Sequence, residues 1–115
     1  MTDYKQGDLV LVSFPFSDLS TTKQRPALVL SVVTPRTFPK LFVVAMLTSQ
    51  IESEEIEGDH IVKDWKEAGL LHPSKVRLSK VVSLEEGLLK KKLGTLALKD
   101  RRQVKSKFLR LFASL

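Results

Sequence analysis

Residues 9–33 read LVLVSFPFSDLSTTKQRPALVLSVV, two apolar runs separated by a polar segment. Leu9–Phe14 and Ala27–Val33 are short, rich in β-branched residues, and bounded by Gly, Pro, Thr or Asp, which is typical of buried strands. Pro15–Pro26 between them predicts a polar loop. Because a proline pushes the preceding residue toward extended backbone, Arg25 is expected at the entrance to the second strand.

The same kind of pattern continues along the chain. Leu41–Leu47 (LFVVAML) predicts a third buried strand. Ile51–Asp59 is an acidic connection, and His60–Val62 predicts a short strand followed by a helical turn around Trp65 and Ala68. Further on, the sequence predicts two short strands, at Val76–Leu78 and Val81–Ser83. The stretch from Gly87 through the lysine run 90–92 predicts an irregular or edge segment.

The end of the chain predicts an amphipathic helix. Its apolar residues recur at i, i+4, i+7, i+8 and i+11, on one helical face: Val104, Phe108, Leu111, Phe112 and Leu115. Asp100 in the first turn and Arg110 near the end suit the helix dipole. Short strands followed by one helix indicate an α+β fold, a curled antiparallel sheet or small barrel capped by the helix. With 115 residues, 43% of them hydrophobic, the chain predicts a single domain spanning 1–115.

The composition excludes several classes of function. The chain has no cysteine, which rules out disulfides, a thiolate nucleophile and a thiolate zinc site. No apolar stretch reaches the about 18 residues of a membrane helix, so we expect a soluble, cytoplasmic protein with no membrane partner. The net charge of +6 is concentrated in the C-terminal part of the sequence, because from Ser74 onward there are twelve Lys/Arg and three Asp/Glu. Such a region attracts polyanions, although charge runs on a helix, such as Lys105 and Lys107, are usually solvated faces.

No metal or cofactor site is expected from the residues. His60 and His72 are isolated and are interpreted as ordinary surface or loop histidines. The glutamates of 52–57 are interpreted as a charged connecting loop rather than cation ligands. Hydroxyl, amide and basic residues near strand ends instead suit a polyanion: Ser17, Ser20, Thr21, Thr22, Lys23, Arg25, Thr48, Ser49, Gln50, Ser74, Lys75 and Arg77. Phe16 is placed either to stack on a base or to join the core.

Four segments, taken in order, resemble one known family. Residues 7–31, GDLVLVSFPFSDLSTTKQRPALVLS, are similar to the opening of the MazF/PemK toxins: Gly-Asp, an apolar strand, a variable loop, and Arg-Pro-Ala before a second strand. The resemblance continues in LTSQ at Leu47–Gln50, AGLLHPSKVRL at Ala68–Leu78 and the LGTL turn at Leu93–Leu96. It therefore covers nearly the whole chain.

The resemblance implies an SH3-like antiparallel β-barrel with a C-terminal helix, usually as a homodimer. It also implies metal-independent cleavage of single-stranded RNA, with no cofactor, and inhibition by an acidic antitoxin. The family's catalytic arginine corresponds to Arg25 and its catalytic threonine to Thr48. RNA contacts are expected from Phe16, Thr21, Lys23, Ser49, Gln50, Lys75 and Arg77.

Two departures from the family and two alternative functions belong beside this interpretation. Thr21-Thr22-Lys23 stands where many relatives have glycines or acidic residues, which leaves RNA sequence preference open, and Ala97 stands where relatives often have a serine N-cap. One alternative is a non-enzymatic toxin of the same fold that poisons DNA gyrase. Such a toxin is expected to rely on an exposed C-terminal helix, whereas the apolar face of this helix is better suited to packing. The other is a basic SH3-like module that binds nucleic acid without cutting it.

Overall fold

Six β-strands and one α-helix form within residues 3–15 and 22–115, the part of the chain that the computed structural model describes. The strands are β1 (Asp8–Pro15), β2 (Thr22–Val33), β3 (Leu41–Thr48), β4 (Asp59–Ile61), β5 (Lys75–Glu85) and β6 (Leu89–Thr95), and the helix is α1 (Leu98–Leu111). A 3-10 helix, Glu86–Leu88, joins β5 to β6. All pairings are antiparallel, in the order β4-β5-β3-β2-β1-β6.

The three apolar runs are confirmed as strands, while two predictions about strand bounds are wrong. β2 begins at Thr22, so Arg25 lies within that strand, opposite Val12 of β1, and not at its entrance. The two short strands predicted at 76–78 and 81–83 are one strand, β5. Its pairing with β3 shifts between Ala45 and Met46, which interrupts the pattern of side chains without ending the strand.

Each of the central strands buries both of its faces, which explains why they read as continuous apolar runs. Leu9, Leu28 and Leu47 belong to the cluster that packs against α1, which we call the helix-side core. Val10, Ala27 and Val44 belong to a second cluster, the far-side core, together with Tyr4 and Phe42. The far-side core also contains Leu84 of β5 and Leu89 of β6, although three strands separate β5 from β6 in the sheet.

The sheet must therefore curl to bring β5 and β6 together, and the 3-10 helix connects them at that point. Among the described residues no ladder joins β5 to β6, so the sheet is curled but not closed. The α+β class is confirmed as a six-stranded antiparallel sheet with one C-terminal helix. The lysine run of 90–92 lies in the edge strand β6, as its composition indicates.

Two glycines allow the segments AGLLHPSKVRL and LGTL to lie against each other. Gly69 has φ of +91°, and a Cβ there would overlap the carbonyl of Leu93. Conversely, a Cβ on Gly94 would overlap the carbonyl of Ala68. The turn at 63–69 therefore touches β6 backbone to backbone, a contact that only glycine permits on either side. LGTL ends β6 and is not a separate turn.

The helix α1 confirms part of the predicted apolar face. Val104 is buried, and Phe108 and Leu111 pack against the helix-side core. Because α1 ends at Leu111, the predicted packing of the last two residues is wrong: Phe112 is 49% exposed and Leu115 is fully exposed. Ala97 is the N-cap residue and provides no side-chain cap. No helix in the described ranges is both long and apolar enough to cross a membrane.

Candidate functional site

Arg25 on β2 and Thr48 on β3 lie toward the same end of two neighbouring strands. Arg25 pairs with Val12 of β1, and β2 pairs with β3 from Ala27 opposite Met46 onward. The ladder ends at that pair, and Arg25 and Thr48 each lie two residues beyond it, at the same end. Thr48 in turn pairs with Lys75 of β5. Arg25, Thr48 and Lys75 thus lie toward the same end of three adjacent strands.

These three residues lie on the face of the sheet that points away from α1. Val12, which is opposite Arg25, belongs to the far-side core, and Met46 packs against that core. Side chains two residues apart on a strand share a face, so Arg25 lies on the same face as Ala27, and Thr48 on the same face as Met46. Arg25 is exposed and Thr48 is half-buried. The predicted catalytic pair therefore occupies a single, solvent-accessible end of the far-side surface.

The segment after Thr48 is held by its own hydrogen bonds. The Gln50 N–H donates to Thr48 Oγ1 at 3.2 Å. The Gln50 carbonyl accepts from Ser53 Oγ at 2.7 Å and from the Ser53 N–H at 3.1 Å. This hydrogen bond uses a lone pair of Thr48 Oγ1 and not its proton, so the Thr48 O–H can still donate. Ser49 and Gln50 are exposed beside it.

Lys75 and Arg77 face the same side of the sheet but differ in accessibility. The Lys75 side chain is 1% exposed; its Nζ donates to the Ser53 carbonyl at 3.0 Å and lies 3.4 Å from Asp59 Oδ2. Arg77 Nη2 lies 3.0 Å from the same oxygen and donates to the Glu54 carbonyl at 3.1 Å, and its side chain is 18% exposed. The prediction that Lys75 offers its charge to RNA is therefore corrected: its ammonium points inward.

Asp59 is the carboxylate that keeps these two cations in place. Burial favours its neutral form, but hydrogen bonds from Arg77, the Ile56 N–H and Lys75, together with the Arg77 charge, outweigh that effect and hold the pKa of Asp59 below its ordinary value. Asp59 therefore remains ionised beneath the site. Sequence reasoning missed this residue, because nothing distinguishes it from the neighbouring carboxylates of the acidic connection.

A second polar cluster lies on the helix side. His60 is 2% exposed, and its Nε2 lies 2.8 Å from Asp100 Oδ1. Lys107 Nζ donates to the Asp59 carbonyl at 3.0 Å and approaches His60 Nδ1 at 3.3 Å. An ammonium can only donate, so Nδ1 accepts, and the neutral imidazole donates from Nε2 to Asp100. The interpretations of His60 as a surface residue and of Lys107 as a solvated charge are both wrong, whereas His72 is exposed.

Asp100 connects this cluster to the turn that precedes β5. Its carboxylate accepts from the Lys63 and Asp64 N–H groups at 3.0 and 3.1 Å. Burial opposes its ionisation, yet the Lys63 amide, His60 and the Asp64 amide lower the pKa of Asp100 below its ordinary value. Asp100 therefore joins the start of α1 to β4 and to the following turn, a role beyond the dipole effect expected from sequence.

We expect the free energy of unfolding to fall as the pH drops below about 6.5. Burial lowers the pKa of folded His60; the Asp100 hydrogen bond opposes that effect, while the charge of Lys107 adds to it, and the net shift is downward from 6.5. Stability is therefore complete above the unfolded pKa and is lost as the pH falls toward the folded pKa. One proton gives a slope of at most about 1.4 kcal/mol per pH unit.

Urea denaturation between pH 7.5 and 5 measures this slope. His60→Gln should flatten it over that range, whereas the matched variant His72→Gln, at an exposed histidine, should leave it as in the wild-type protein. Equal slopes in all three proteins would show that His60 does not titrate on unfolding. Asp59 and Asp100 contribute separately, because their lowered pKa values place their loss of stability below about pH 3.8.

The remaining predicted residues are placed as follows. Lys23 is exposed and shares the face of Arg25 on β2. Phe16 and Thr21 lie outside the described residues. Within those residues, no three His, Asp or Glu side chains are grouped so that they could hold a metal ion.

Comparison with known proteins identifies the family. Residues 5–112 match the family model of the PemK-like, MazF-like toxins of type II toxin-antitoxin systems. A search of curated proteins finds no match.

Solved structures share the fold. The Mycobacterium tuberculosis toxin MazF-mt6 has a TM-score of 0.70 at 18% identity, covering 92% of this chain and 96% of that one. A mycobacterial endoribonuclease in complex with its cognate antitoxin has a TM-score of 0.70 at 13% identity, covering 98% of both chains. A MazE-MazF structure from Deinococcus radiodurans has a TM-score of 0.70 at 22% identity, covering 98% of this chain and 100% of the other. Since the family model spans almost the entire chain, the protein belongs to the PemK-like, MazF-like toxins of type II toxin-antitoxin systems.

Proposed function

We propose that this toxin is an endoribonuclease that cleaves single-stranded RNA without a metal ion. The observation that supports the proposal is that Arg25 and Thr48 lie on the same accessible face, toward the same end of the paired strands β2 and β3. Two of the structural neighbours are named endoribonucleases, which supports the same activity here. An arginine beside a hydroxyl suits a phosphodiester, because the guanidinium matches phosphate geometry and the hydroxyl adds a hydrogen bond.

The reaction uses the RNA's own 2′-hydroxyl as nucleophile. The 2′-oxygen bonds to the adjacent phosphorus and the bond to the 5′-oxygen breaks, while a proton leaves the 2′-hydroxyl and another is taken up by the 5′-oxygen. The products are a 2′,3′-cyclic phosphate, or a 3′-phosphate after hydrolysis, and a 5′-hydroxyl end. Arg25 stabilises the charge that develops on the phosphorane, and the Thr48 hydroxyl donates a hydrogen bond to the same group while keeping its proton.

RNA contacts around this pair are proposed for the exposed side chains that share its surroundings, namely Lys23, Ser49 and Gln50, and for the partly exposed Arg77. Phe16 and Thr21 remain proposed contacts from the neighbouring segment. Lys75 is left out, because its ammonium is buried. The proposed macromolecular partners are an acidic antitoxin and a second copy of the chain. A structural neighbour solved with its cognate antitoxin supports the first of these.

Cleavage is expected to proceed unchanged in excess chelator. Purified protein is incubated with a long single-stranded RNA in EDTA, with and without added magnesium, and the product ends are identified. A 5′-hydroxyl and a cyclic or 3′-phosphate are expected in both conditions. The same sequence in a duplex should resist cutting, because an A-form helix restrains the 2′-oxygen from moving in line with the leaving oxygen. Activity that needs magnesium, or equal cutting of the duplex, would contradict the proposed mechanism.

One observation keeps a second function in view. Phe112 and Leu115 are exposed, so these C-terminal apolar residues are not engaged in packing and do not speak against binding to gyrase. A gyrase poison of this fold would inhibit supercoiling and leave RNA intact. A supercoiling assay with the same preparation distinguishes the two functions, and we expect no inhibition of gyrase.

A further inference from the structure

The residues that hold the Thr48 segment are part of the machinery proposed for RNA cleavage. We propose that Lys75, fixed by Asp59, is a positioning residue that sets the direction of the Thr48 hydroxyl through the intervening segment 49–54. The proposal rests on the RNA cleavage proposed above, and it assigns to Lys75 a role other than contact with RNA.

A continuous series of hydrogen bonds runs from Thr48 to Lys75. Thr48 Oγ1 accepts from the Gln50 N–H, and the Gln50 carbonyl accepts from Ser53 Oγ and N–H. The Ser53 carbonyl then accepts from Lys75 Nζ at 3.0 Å. Every link is made within the described residues. A shift of the Ser53 carbonyl is therefore transmitted to the amide that faces the Thr48 hydroxyl.

The same lysine holds both ends of this segment. Its Cα pairs with that of Thr48 in the ladder between β3 and β5, while its ammonium holds the far end at Ser53 and approaches the Glu54 carbonyl at 3.4 Å. Arg77 adds a second bond to the Glu54 carbonyl. The segment is thus fixed at its start by the sheet and at its end by two cations.

The chemistry of Lys75 favours this role over one in stability alone. Its three ammonium protons meet three acceptors: the carbonyls of Ser53 and Glu54, and Asp59 Oδ2. Burying a charge is costly, and an apolar pair of similar volume often serves stability as well or better. An ammonium at this position does what an apolar side chain cannot, because it directs two carbonyls of the segment that follows Thr48.

Loss of this support should lower the rate of the chemical step measured at saturating RNA, where a change in affinity through Ser49 or Gln50 of the same segment does not affect the rate. The Gln50 N–H occupies one acceptor site of Thr48 Oγ1, which leaves fewer orientations for the O–H proton. If the segment moves, the hydroxyl samples orientations that do not face the phosphorane. A misplaced catalytic group typically costs up to about a hundredfold in rate, so we expect a loss of roughly tenfold to a hundredfold in Lys75→Met.

A double-mutant cycle with Thr48→Val tests whether Lys75 acts through the Thr48 hydroxyl. Single-turnover rates at saturating RNA are measured for Lys75→Met, Thr48→Val and the double variant, and RNA dissociation constants are measured separately. The double variant should be no slower than Thr48→Val alone, because the hydroxyl to be positioned is already absent. The matched control is Lys80→Met, an exposed lysine on the same strand, which should cut at the wild-type rate.

Rates that multiply in the double variant, or a Lys75→Met protein as fast as wild type, would overturn the proposal. Ser53→Ala provides a second test in case Lys75→Met does not fold, because it removes only one partly exposed hydroxyl. It should slow cleavage roughly threefold to tenfold, the worth of one neutral hydrogen bond, against an unchanged rate for Glu52→Ala. Wild-type speed in Ser53→Ala would also count against the proposal.

A measurement on the free protein separates this proposal from the proposed function. Amide hydrogen exchange at Gln50 and Ser53, followed by NMR, should be faster in Lys75→Met or Ser53→Ala than in the wild-type protein. If the wild-type protein does not cut RNA, the proposed function fails, while the exchange rates still report whether Lys75 orders the segment. Unchanged exchange at both amides would overturn the positioning role whatever the activity.

Discussion

Arg25→Ala is expected to slow cleavage of single-stranded RNA roughly a hundredfold to a thousandfold, the usual cost of removing one preorganised electrostatic contact to the transition state. Arg25 lies on the accessible far-side face, toward the same end of the sheet as Thr48. Single-turnover rates at saturating RNA measure the effect on the chemical step. Because the side chain is exposed, the melting temperature should stay within a few degrees of the wild-type value.

Arg25→Lys separates charge from geometry. Lysine restores the positive charge but has no planar fork, so partial recovery indicates that bidentate donation to the phosphate contributes. Full recovery would mean that charge alone suffices. The matched control is Lys105→Ala, at an exposed cation on the helix side of the protein. If Lys105→Ala abolishes cutting while Arg25→Ala cuts normally, the site is placed on the wrong face.

Thr48→Val is expected to reduce the rate of cleavage by roughly a hundredfold, because it deletes the O–H donor while nearly preserving the shape of the side chain. The Gln50 N–H loses its acceptor, so a small loss of stability is also expected, about 1 kcal/mol for a neutral hydrogen bond. Rate measurements at saturating RNA, combined with thermal denaturation, separate these two effects.

Thr48→Ser provides the control for the hydroxyl. Serine retains the acceptor for Gln50 and the donor for the phosphate, and should recover most of the activity. A Thr48→Val protein that cuts at the wild-type rate would remove Thr48 from the mechanism and leave Arg25 to be tested alone. A serine variant that loses activity while the valine variant retains it would instead indicate that the methyl group, and therefore packing, determines the rate.

Local sequence patterns predicted the elements of this fold because they depend on neighbours along the chain. The apolar runs at Leu9–Phe14, Ala27–Val33 and Leu41–Leu47 became strands, and the helical spacing of Val104, Phe108 and Leu111 became the packed side of α1. The same patterns gave wrong positions for some strand boundaries. The shift in pairing within β5 interrupts the alternation of side chains, and two strands were predicted where one exists.

The candidate site was predicted in its residue types but not in its arrangement. Arg25 and Thr48 were named from motifs, whereas their position toward the same end of the sheet depends on the antiparallel pairing of β2 with β3. Lys75 and Arg77 appeared equivalent in sequence. They differ because the Lys75 ammonium turns beneath the segment after Thr48, toward carbonyls more than 20 positions earlier in the chain.

Sequence alone determined the fold class and the family, since these follow from hydrophobic period, composition and ordered motifs, and the family resemblance is also the source of the prediction for Arg25 and Thr48. Only the tertiary structure decided which polar groups are buried and with whom they pair. His60 meets Asp100 across 40 positions of the chain, and Asp59 meets Arg77 across 18. The physical reason is that a buried charge is tolerated only beside a specific partner, and the partner is chosen by strand register and helix docking, which no local pattern records.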